Sequence, residues 1–284
     1  MKFMTFDAGN GPRVGLVNGT GVVDLTKHAG ATSLRGLIAD DKIEAMAAHA
    51  GDAPDHALDD VIFLPVIPDP AHIWCVGVNY MDHLQEAIDA GLPRSKSEHP
   101  MIFGRYADTM VGHKQNLMKS PVVEKLDYEC ELAVIIGKAG RHISKENALS
   151  HVAGYSCINE GSARDWQYHT SQVVPGKNFA RTCGFGPWMV TADEIPDPQV
   201  LDISTVLNGK TMQDANTKDM IFDVATVIAY VSNFSELQPG DVIASGTPSG
   251  VGQSREPQVF MQPGDVCEIH IENVGTLINE IAEG

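Results

Sequence analysis

The chain has 284 residues, enough to bury a substantial core within one large domain or within a large domain and a small appendage. Its 20 basic and 37 acidic residues give a formal net charge of −17, which would repel nucleic acid and anionic membrane surfaces. A small anion could still bind, provided that a metal or a few Lys and Arg side chains create a locally positive pocket.

Residues 1 to 27 predict a small β meander, because "KFMTF", "RVGLV" and "GVVDL" are short apolar runs separated by Gly-containing turns. The Ala-rich stretch "SLRGLIADDKIEAMAAHAG" is typical of a helix. Prolines in "VIFLPVIPDP" then mark a crossing into a second unit. We therefore predict a small, β-rich N-terminal domain over residues 1–68 and a larger domain over residues 69–284.

The second unit, residues 69–284, contains predicted strands and helices in an irregular order. Strands are predicted at "HIWCVGVNY", "ELAVIIG" and "AGYSCIN", and helices at "MIFDVATVIAYVSNF" and "MDHLQEAIDAGLP", the latter closed by Gly91 and Pro93. Strands outnumber helices, and no strict strand–helix alternation is present. The pattern predicts an α+β, mainly β fold, with a mixed β-sheet or β-roll core and peripheral helices.

The segment "DYECELAVIIG" places two acids at the start of an apolar strand. Side chains alternate along a strand, so Glu129 and Glu131 point to the same face. At a separation of roughly 7 Å and an effective dielectric of about 20, their repulsion is on the order of 2 kcal/mol. A cation between them would relieve it, although an isolated Glu-x-Glu pair is more often a strand end whose acids face water.

A third acid, Glu160, follows the predicted strand "AGYSCIN". Three carboxylates with water form a hard oxygen site, which suits Mg²⁺ or Mn²⁺ and leaves positions for a substrate. The spacing alone leaves open the alternative that Glu160 is a solvated loop residue.

His83 and Glu86 lie three residues apart on a predicted helix and are therefore neighbours on its surface. The carboxylate would hold the imidazole in one tautomer and raise its basicity, as in a base and its orienting partner. The alternative is a surface helix pair that contributes a few tenths of a kcal/mol.

Another polar group combines Arg164 and Gln167 in "SARDWQ", Lys177 in "PGKNF" and Thr247 in "ASGTPSGVG". Glycines beside Lys177 and Thr247 let the backbone approach a ligand closely and present amide donors. A phosphate-binding loop is excluded at "GTPSGVG", because no Gly-Lys-Ser/Thr ends it. Each polar residue alone is also compatible with a surface or turn position.

Five motifs in this order give the chain a family resemblance: "GVNYMDHLQEA", "LDYECELAVIIGK", "NEGSARDWQ", "GKNF…GPWMV" and "LQPGDVIASGTPSGVG". Over residues 70–284 the chain resembles the fumarylacetoacetate hydrolase family, in its short bacterial form with a small N-terminal domain. The resemblance implies the family's mixed β-roll catalytic fold and a homodimer.

The resemblance also implies roles for the residues singled out above. Glu129, Glu131 and Glu160 would bind one divalent cation, Mg²⁺ or Mn²⁺. His83 with Glu86 would activate water. The residues that would surround the substrate are Arg164, Gln167, Lys177 and Thr247.

The reaction implied by the resemblance is hydrolysis of a C–C bond in an acylpyruvate or a related 2,4-diketo acid, a small anionic 2-oxo acid. His83 would take a proton from water, Lys177 or a nearby donor would stabilise the oxyanion, and the metal would stabilise the pyruvate enolate. The alternatives are isomerase, decarboxylase or lyase chemistry on a 2-oxo acid, such as hydroxymuconate-type isomerisation or oxaloacetate decarboxylation, and metal or ligand binding without turnover.

Two positions depart from the family pattern. Glu160 stands where the family usually has Asp, which adds one methylene to a ligand. Ala180 stands where the family usually has an acid soon after Lys-x-Phe, which removes a charge near Lys177 and would alter the part of the site that holds the distal end of the substrate.

The compartment is predicted from the N-terminus and the cysteines. The N-terminus lacks a basic region followed by an apolar one, and no apolar run approaches the length of a membrane span. Five cysteines occur singly, as expected for reduced thiols. We therefore expect a cytoplasmic protein.

Overall fold

Strands outnumber helices in the computed structural model, which describes residues 1–29, 33–89, 91 and 95–284. The strands are β1 (Lys2–Asp7), β2 (Pro12–Asn18), β3 (Gly21–Asp24), β4 (His56–Ala57), β5 (Ile62–Phe63), β6 (Ile73–Gly77), β7 (Met101–Arg105), β8 (Met110–Val111), β9 (Leu117–Lys119), β10 (Leu126–Asp127), β11 (Cys130–Ile136), β12 (Val152–Glu160), β13 (Ser162–Ala163), β14 (Cys183–Thr191), β15 (Asp202–Leu207), β16 (Lys210–Asn216), β17 (Val242–Ala244), β18 (Val266–Ile271) and β19 (Gly275–Glu283). The α-helices are α1 (Thr26–Ala29), α2 (Leu34–Ala39), α3 (Ile43–Met46), α4 (Met81–Asp89), α5 (Arg164–Gln167), α6 (Val174–Lys177) and α7 (Val224–Phe234).

The strands form two large mixed sheets and one small one. The larger has 12 strands, with the main order β4-β3-β2-β1-β14-β12-β11-β17-β6-β7 and with β5 and β8 attached to β1 and β14. Strand β17 runs parallel to β6, whereas β11 runs antiparallel to both β12 and β17. A five-stranded sheet, β16-β15-β18-β19-β9, and the pair β10-β13 complete the arrangement. The predicted mixed-sheet, mainly β fold is confirmed.

Strand β11 is central to the larger sheet and is buried along its whole length. Leu132 and Val134 pack in one apolar cluster, while Ala133 and Ile135 pack in another. A strand that is covered on both faces has apolar residues at every position, and this is why "LAVII" shows no alternation of polar and apolar residues. The strand therefore carries the acids at its start into the interior of the protein.

The three predicted N-terminal strands are present and continue the larger sheet. Strand β1 pairs with β14, with Lys2 opposite Val190. Residues of the first 68 positions share an apolar cluster with later ones; members of this cluster are Phe3, Leu16, Ala133, Ile158 and Phe185. The two predicted units thus share a sheet and a core, and the division at residue 68 stays a prediction.

The helices are shorter than their sequence patterns. The Ala-rich stretch is divided into α2 and α3, with Asp41 between them at a φ of 54°. Helix α4 is followed by Gly91 at a φ of 77°, a left-handed residue that stops a helix, whereas Pro93 lies outside the described residues. Helix α7 is capped at its N-terminus by Asp223, whose carboxylate accepts a hydrogen bond from the Thr226 amide at 2.7 Å. Within the described ranges, no helix has the length and apolar character needed to cross a membrane.

Candidate active site

The three predicted acids meet at the junction of two central strands. Carboxylate oxygens of Glu129, Glu131 and Glu160 lie within 4.8 Å of one another, and all three residues are buried. Glu131 lies in β11 and Glu160 ends the neighbouring β12. The Glu160 amide donates to the Glu129 carbonyl at 2.9 Å, which joins the two strands beside the cluster. The structure therefore brings together residues that are about 30 positions apart in the chain.

Two predicted cations hold the acidic cluster. The Lys177 ammonium donates to Glu129 Oε2 at 2.5 Å and to Glu160 Oε2 at 2.7 Å. Arg164 Nη2 lies 2.7 Å from Glu129 Oε1, and Arg164 Nε donates to Asp127 Oδ2 at 2.9 Å. Burial opposes the ionisation of Glu129, but Lys177 and Arg164 outweigh burial and hold its pKa well below the usual value. Glu129 is thus a fixed anion within the protein interior.

Glu131 lacks such a partner. Its Oε2 atom accepts a hydrogen bond from the Gly246 amide at 2.8 Å, and no described Lys or Arg forms an ion pair with it. Burial raises the pKa of Glu131 well above its usual value, and the charges of Glu160 and Glu129 raise it further. Glu131 therefore forms, together with Glu129 and Glu160, a set of three buried carboxylates that fits a hard divalent cation. Such a cation would offset the charge that the described Lys and Arg side chains leave unpaired on Glu131.

Arg105 is a third buried cation, which the sequence analysis did not identify. Its Nε atom donates to Glu160 Oε1 at 3.2 Å, and its Nη2 atom donates to the Gly161 carbonyl at 2.7 Å. Its remaining Nη1 atom is buried without a hydrogen-bond partner among the described residues. Met101, Phe103 and Arg105 alternate along β7 and therefore share one face of the strand. Met101 and Phe103 line the same cleft as the acids, so this alternation is the sequence feature that pointed to Arg105.

His83 and Glu86 form the predicted pair on α4. His83 Nδ1 lies 3.1 Å from Glu86 Oε2, while Glu86 Oε1 accepts a hydrogen bond from the Gly250 amide at 2.9 Å. When Nδ1 carries the proton that it shares with Glu86, Nε2 has a free lone pair. His83 lines the cleft, so its Nε2 atom is suited to receive a proton there.

Thr247 and Gln167 belong to supporting networks. The Thr247 hydroxyl accepts a hydrogen bond from Gln213 Nε2 at 2.9 Å, and Gln213 Oε1 accepts one from the Cys130 amide at 2.9 Å. Gln167 Oε1 accepts a hydrogen bond from Arg164 Nη1 at 3.0 Å. Gln213 was not singled out in the sequence, because nothing near it in "TMQDANT" indicates contact with a distant strand.

These groups face one cleft. The cleft is lined by eight of the nine predicted residues, all except Glu86, which acts through His83. Its apolar wall consists of Val76, Val78, Ala87, Met101, Phe103 and Val251. Ala180 does not line this cleft and lies instead in a separate pocket beside Phe179 and Arg181, so the family departure at residue 180 is outside the site.

The buried acids with their cations, the His–Glu pair and the mixed-sheet fold agree with one family. The family model described as fumarylacetoacetate (FAA) hydrolase C-terminal matches residues 72–282. The chain therefore belongs to the fumarylacetoacetate hydrolase family, as its motifs predicted.

Individual relatives bear several names. The mitochondrial oxaloacetate tautomerase FAHD2A of Bos taurus is 38% identical over 292 residues, covering 99% of this chain and 91% of the relative. The oxaloacetate tautomerase YisK of Bacillus subtilis (strain 168) is 42% identical over 229 residues, covering 80% of this chain and 75% of the relative. Among solved structures, the maleylpyruvate hydrolase of Sphingobium sp. SYK-6, in complex with manganese(II) and pyruvate, superimposes with a TM-score of 0.83 at 29% identity, and 100% of each chain is covered.

Proposed function

We propose that this protein is an enzyme that converts a 2-oxo acid into its enol form with the help of Mg²⁺ or Mn²⁺. The observation that carries the proposal is the cluster of three buried carboxylates, with oxygens within 4.8 Å of one another, in a cleft that His83 also lines. Keto–enol tautomerisation of oxaloacetate is the first candidate reaction, supported by the relatives of that name at 38% and 42% identity.

Glu129, Glu131 and Glu160 would hold the cation. When bound, the cation would supply positive charge at the 2-oxo group, where negative charge develops during enolisation. Support for an anionic substrate comes from charge balance, because the site contains the three buried cations Arg105, Arg164 and Lys177 against the carboxylates of Asp127 and the three glutamates. With all four carboxylates ionised the protein groups are one negative charge in excess, and a divalent cation would make the site attractive to a carboxylate.

Proton transfer is assigned to His83. Its Nε2 atom would remove a proton from C3 of the 2-oxo acid, while Glu86 Oε2 stabilises the imidazolium through Nδ1–H at 3.1 Å. The imidazolium would then give this proton to the C2 oxygen, which completes the enol and regenerates the neutral imidazole without a change in composition. The Gly250 amide fixes Glu86 at 2.9 Å, so the pair keeps its orientation while the proton moves.

Hydrolysis of an acylpyruvate is the second candidate, favoured by the same His83–Glu86 pair. In this reaction His83 Nε2 would take a proton from water, and the resulting hydroxide would attack the distal carbonyl carbon. Cleavage of the bond to C3 would then release a carboxylic acid and pyruvate. Lys177 would hold the acids beside the reacting carbonyl through its contacts with Glu129 and Glu160. A homodimer remains a prediction for the assembled protein.

The test is a comparison of the two reactions in one preparation with Mn²⁺. Oxaloacetate enol–keto conversion is followed by ultraviolet absorbance, and acylpyruvate hydrolysis by pyruvate release. Glu131→Gln should abolish both activities, whereas Glu236→Gln, the same change at an exposed residue, should leave them unchanged. Activity on oxaloacetate alone would favour tautomerisation. A wild-type protein that binds Mn²⁺ but converts neither substrate would refute the proposal.

A further inference from the structure

The turn between β6 and α4 adopts a strained conformation beside the cleft. Val78 has a φ of 55°, in the left-handed region that β-branched residues rarely occupy. Such a conformation is strained and persists only where the surrounding structure fixes it. Val78 lines the cleft, and α4 with His83 begins three residues later. Whatever holds this turn therefore also determines where the His83–Glu86 pair lies.

Asn79 is the residue that holds the turn. It is fully buried, and its Nδ2 atom donates to the Ser245 carbonyl at 2.7 Å and to the Phe222 carbonyl at 3.0 Å. Its Oδ1 atom accepts a hydrogen bond from the Phe222 amide at 2.9 Å. Both N–H donors and the carbonyl oxygen are thus engaged, which leaves the side chain a single orientation.

The contact with Ser245 leads directly to the acidic cluster. Because β6 and β17 are parallel, their carboxyl ends lie side by side, and Asn79 meets loop 245–251 there. Gly246 follows Ser245 at a φ of 99°, and a Cβ atom on it would lie 2.5 Å from Asn79 Cβ. The Gly246 amide donates to Glu131 Oε2 at 2.8 Å. Asn79 therefore packs against the residue that orients Glu131.

The opposite end of α4 is tied to the same loop. Glu86 Oε1 accepts a hydrogen bond from the Gly250 amide at 2.9 Å, while its Oε2 atom contacts His83. Loop 245–251 is consequently joined to the α4 region at two points, through Asn79 before the helix and through Glu86 within it. The contact through Asn79 lies beside Gly246, which orients the acid Glu131, and the contact through Glu86 orients the base His83.

We propose that Asn79 is a positioning residue that fixes the His83–Glu86 pair relative to Glu131. Asn79 does not line the cleft and acts through Ser245 and Gly246. The catalytic part of this inference rests on the proposed function, whereas its effect on metal binding follows from the contact between Gly246 and Glu131.

The decisive variant is Asn79→Asp, which keeps the size of the side chain but removes both N–H donors. We expect the Kd for Mn²⁺ to rise roughly 10- to 100-fold, as is usual when a residue that orients a metal ligand is lost. We also expect kcat to fall by a similar factor with little change in KM, because Asn79 does not contact the substrate. Calorimetric titration with Mn²⁺ and steady-state kinetics give the two readouts.

Asn279→Asp is the matched control. Asn279 is buried in β19, and its Nδ2 atom donates to two carbonyls, those of Gly112 at 2.9 Å and Gln115 at 2.7 Å. The same chemical change should therefore lower stability without altering Mn²⁺ affinity or kcat. Equal Mn²⁺ affinity and kcat in the two variants would overturn the proposal.

If Asn79→Asp does not fold, Asn79→Ser replaces it, because serine removes the amide without placing a negative charge against two carbonyls. The same contrast with the control then decides the outcome. A wild-type protein without activity on 2-oxo acids would refute the proposed function alone, since the Mn²⁺ titrations still test the role of Asn79.

Discussion

Replacing Glu160 with the shorter aspartate is a direct test of the metal cluster. Asp withdraws the carboxylate by about one C–C bond, roughly 1.5 Å. In the structure, Glu160 accepts hydrogen bonds from Lys177 at 2.7 Å and from Arg105 at 3.2 Å, and neither contact would survive such a withdrawal. A hydrogen bond to a charged group contributes about 1.5–3 kcal/mol. The withdrawn carboxylate would also leave its place beside Glu129 and Glu131.

The remaining contacts of Lys177 and Arg105 limit the loss of stability in Glu160→Asp. Lys177 keeps Glu129 as a partner and Arg105 keeps the Gly161 carbonyl, so we expect the folded protein to lose about the stability of one charged hydrogen bond. The variant also moves one of the three carboxylates that would hold the cation, and we expect the Kd for Mn²⁺ to rise roughly 10- to 100-fold. A shift of the main chain is opposed by close packing, because a Cβ atom on Gly161 would lie 2.0 Å from the Thr182 carbonyl oxygen.

The assay is calorimetric titration of Glu160→Asp with Mn²⁺, together with kcat for the wild-type reaction. Glu236→Asp is the control, since Glu236 is exposed and should tolerate the same shortening. An Asp variant that binds Mn²⁺ as tightly as wild type and turns over equally fast would refute the three-carboxylate assignment.

Three further outcomes are expected. His83→Ala should lower kcat roughly 10²- to 10⁴-fold while calorimetry shows unchanged Mn²⁺ affinity, and a parallel loss of affinity would contradict its role as a base. Glu131→Gln should weaken Mn²⁺ binding at least as much as Glu160→Asp, and unchanged binding would remove Glu131 from the site. Burial lowers the pKa of His113 from 6.5 to about 4 in the folded protein, so its contribution to stability is present above pH 6.5 and declines as the pH falls towards 4. In urea unfolding, His113→Gln should therefore lose about 2 kcal/mol less than wild type between pH 7 and pH 5, and equal losses would contradict a buried neutral imidazole.

Local features of the sequence determined much of the candidate site. The spacing of His83 and Glu86 fixes their contact, because residues three apart on a helix are neighbours whatever the rest of the chain does. The uninterrupted apolar run of β11 likewise predicted a strand that begins at the acids, and the structure shows this strand to be buried. Both signals depend on the periodicity of a single element, and both could therefore be read before the fold was known.

Only the tertiary structure decided what surrounds these residues. The amide of Gly246 reaches Glu131 across 115 positions of the chain, and the amide of Gly250 reaches Glu86 across 164. Backbone N–H groups are the same in nearly every residue, so no side-chain pattern marks the ones that orient a carboxylate. Arg105 and Asn79 acquire their roles in the same way, because the neighbours of β6 and β7 are set by the strand order of the sheet. That order depends on the packing of distant apolar faces, which the spacing of residues within one element does not encode.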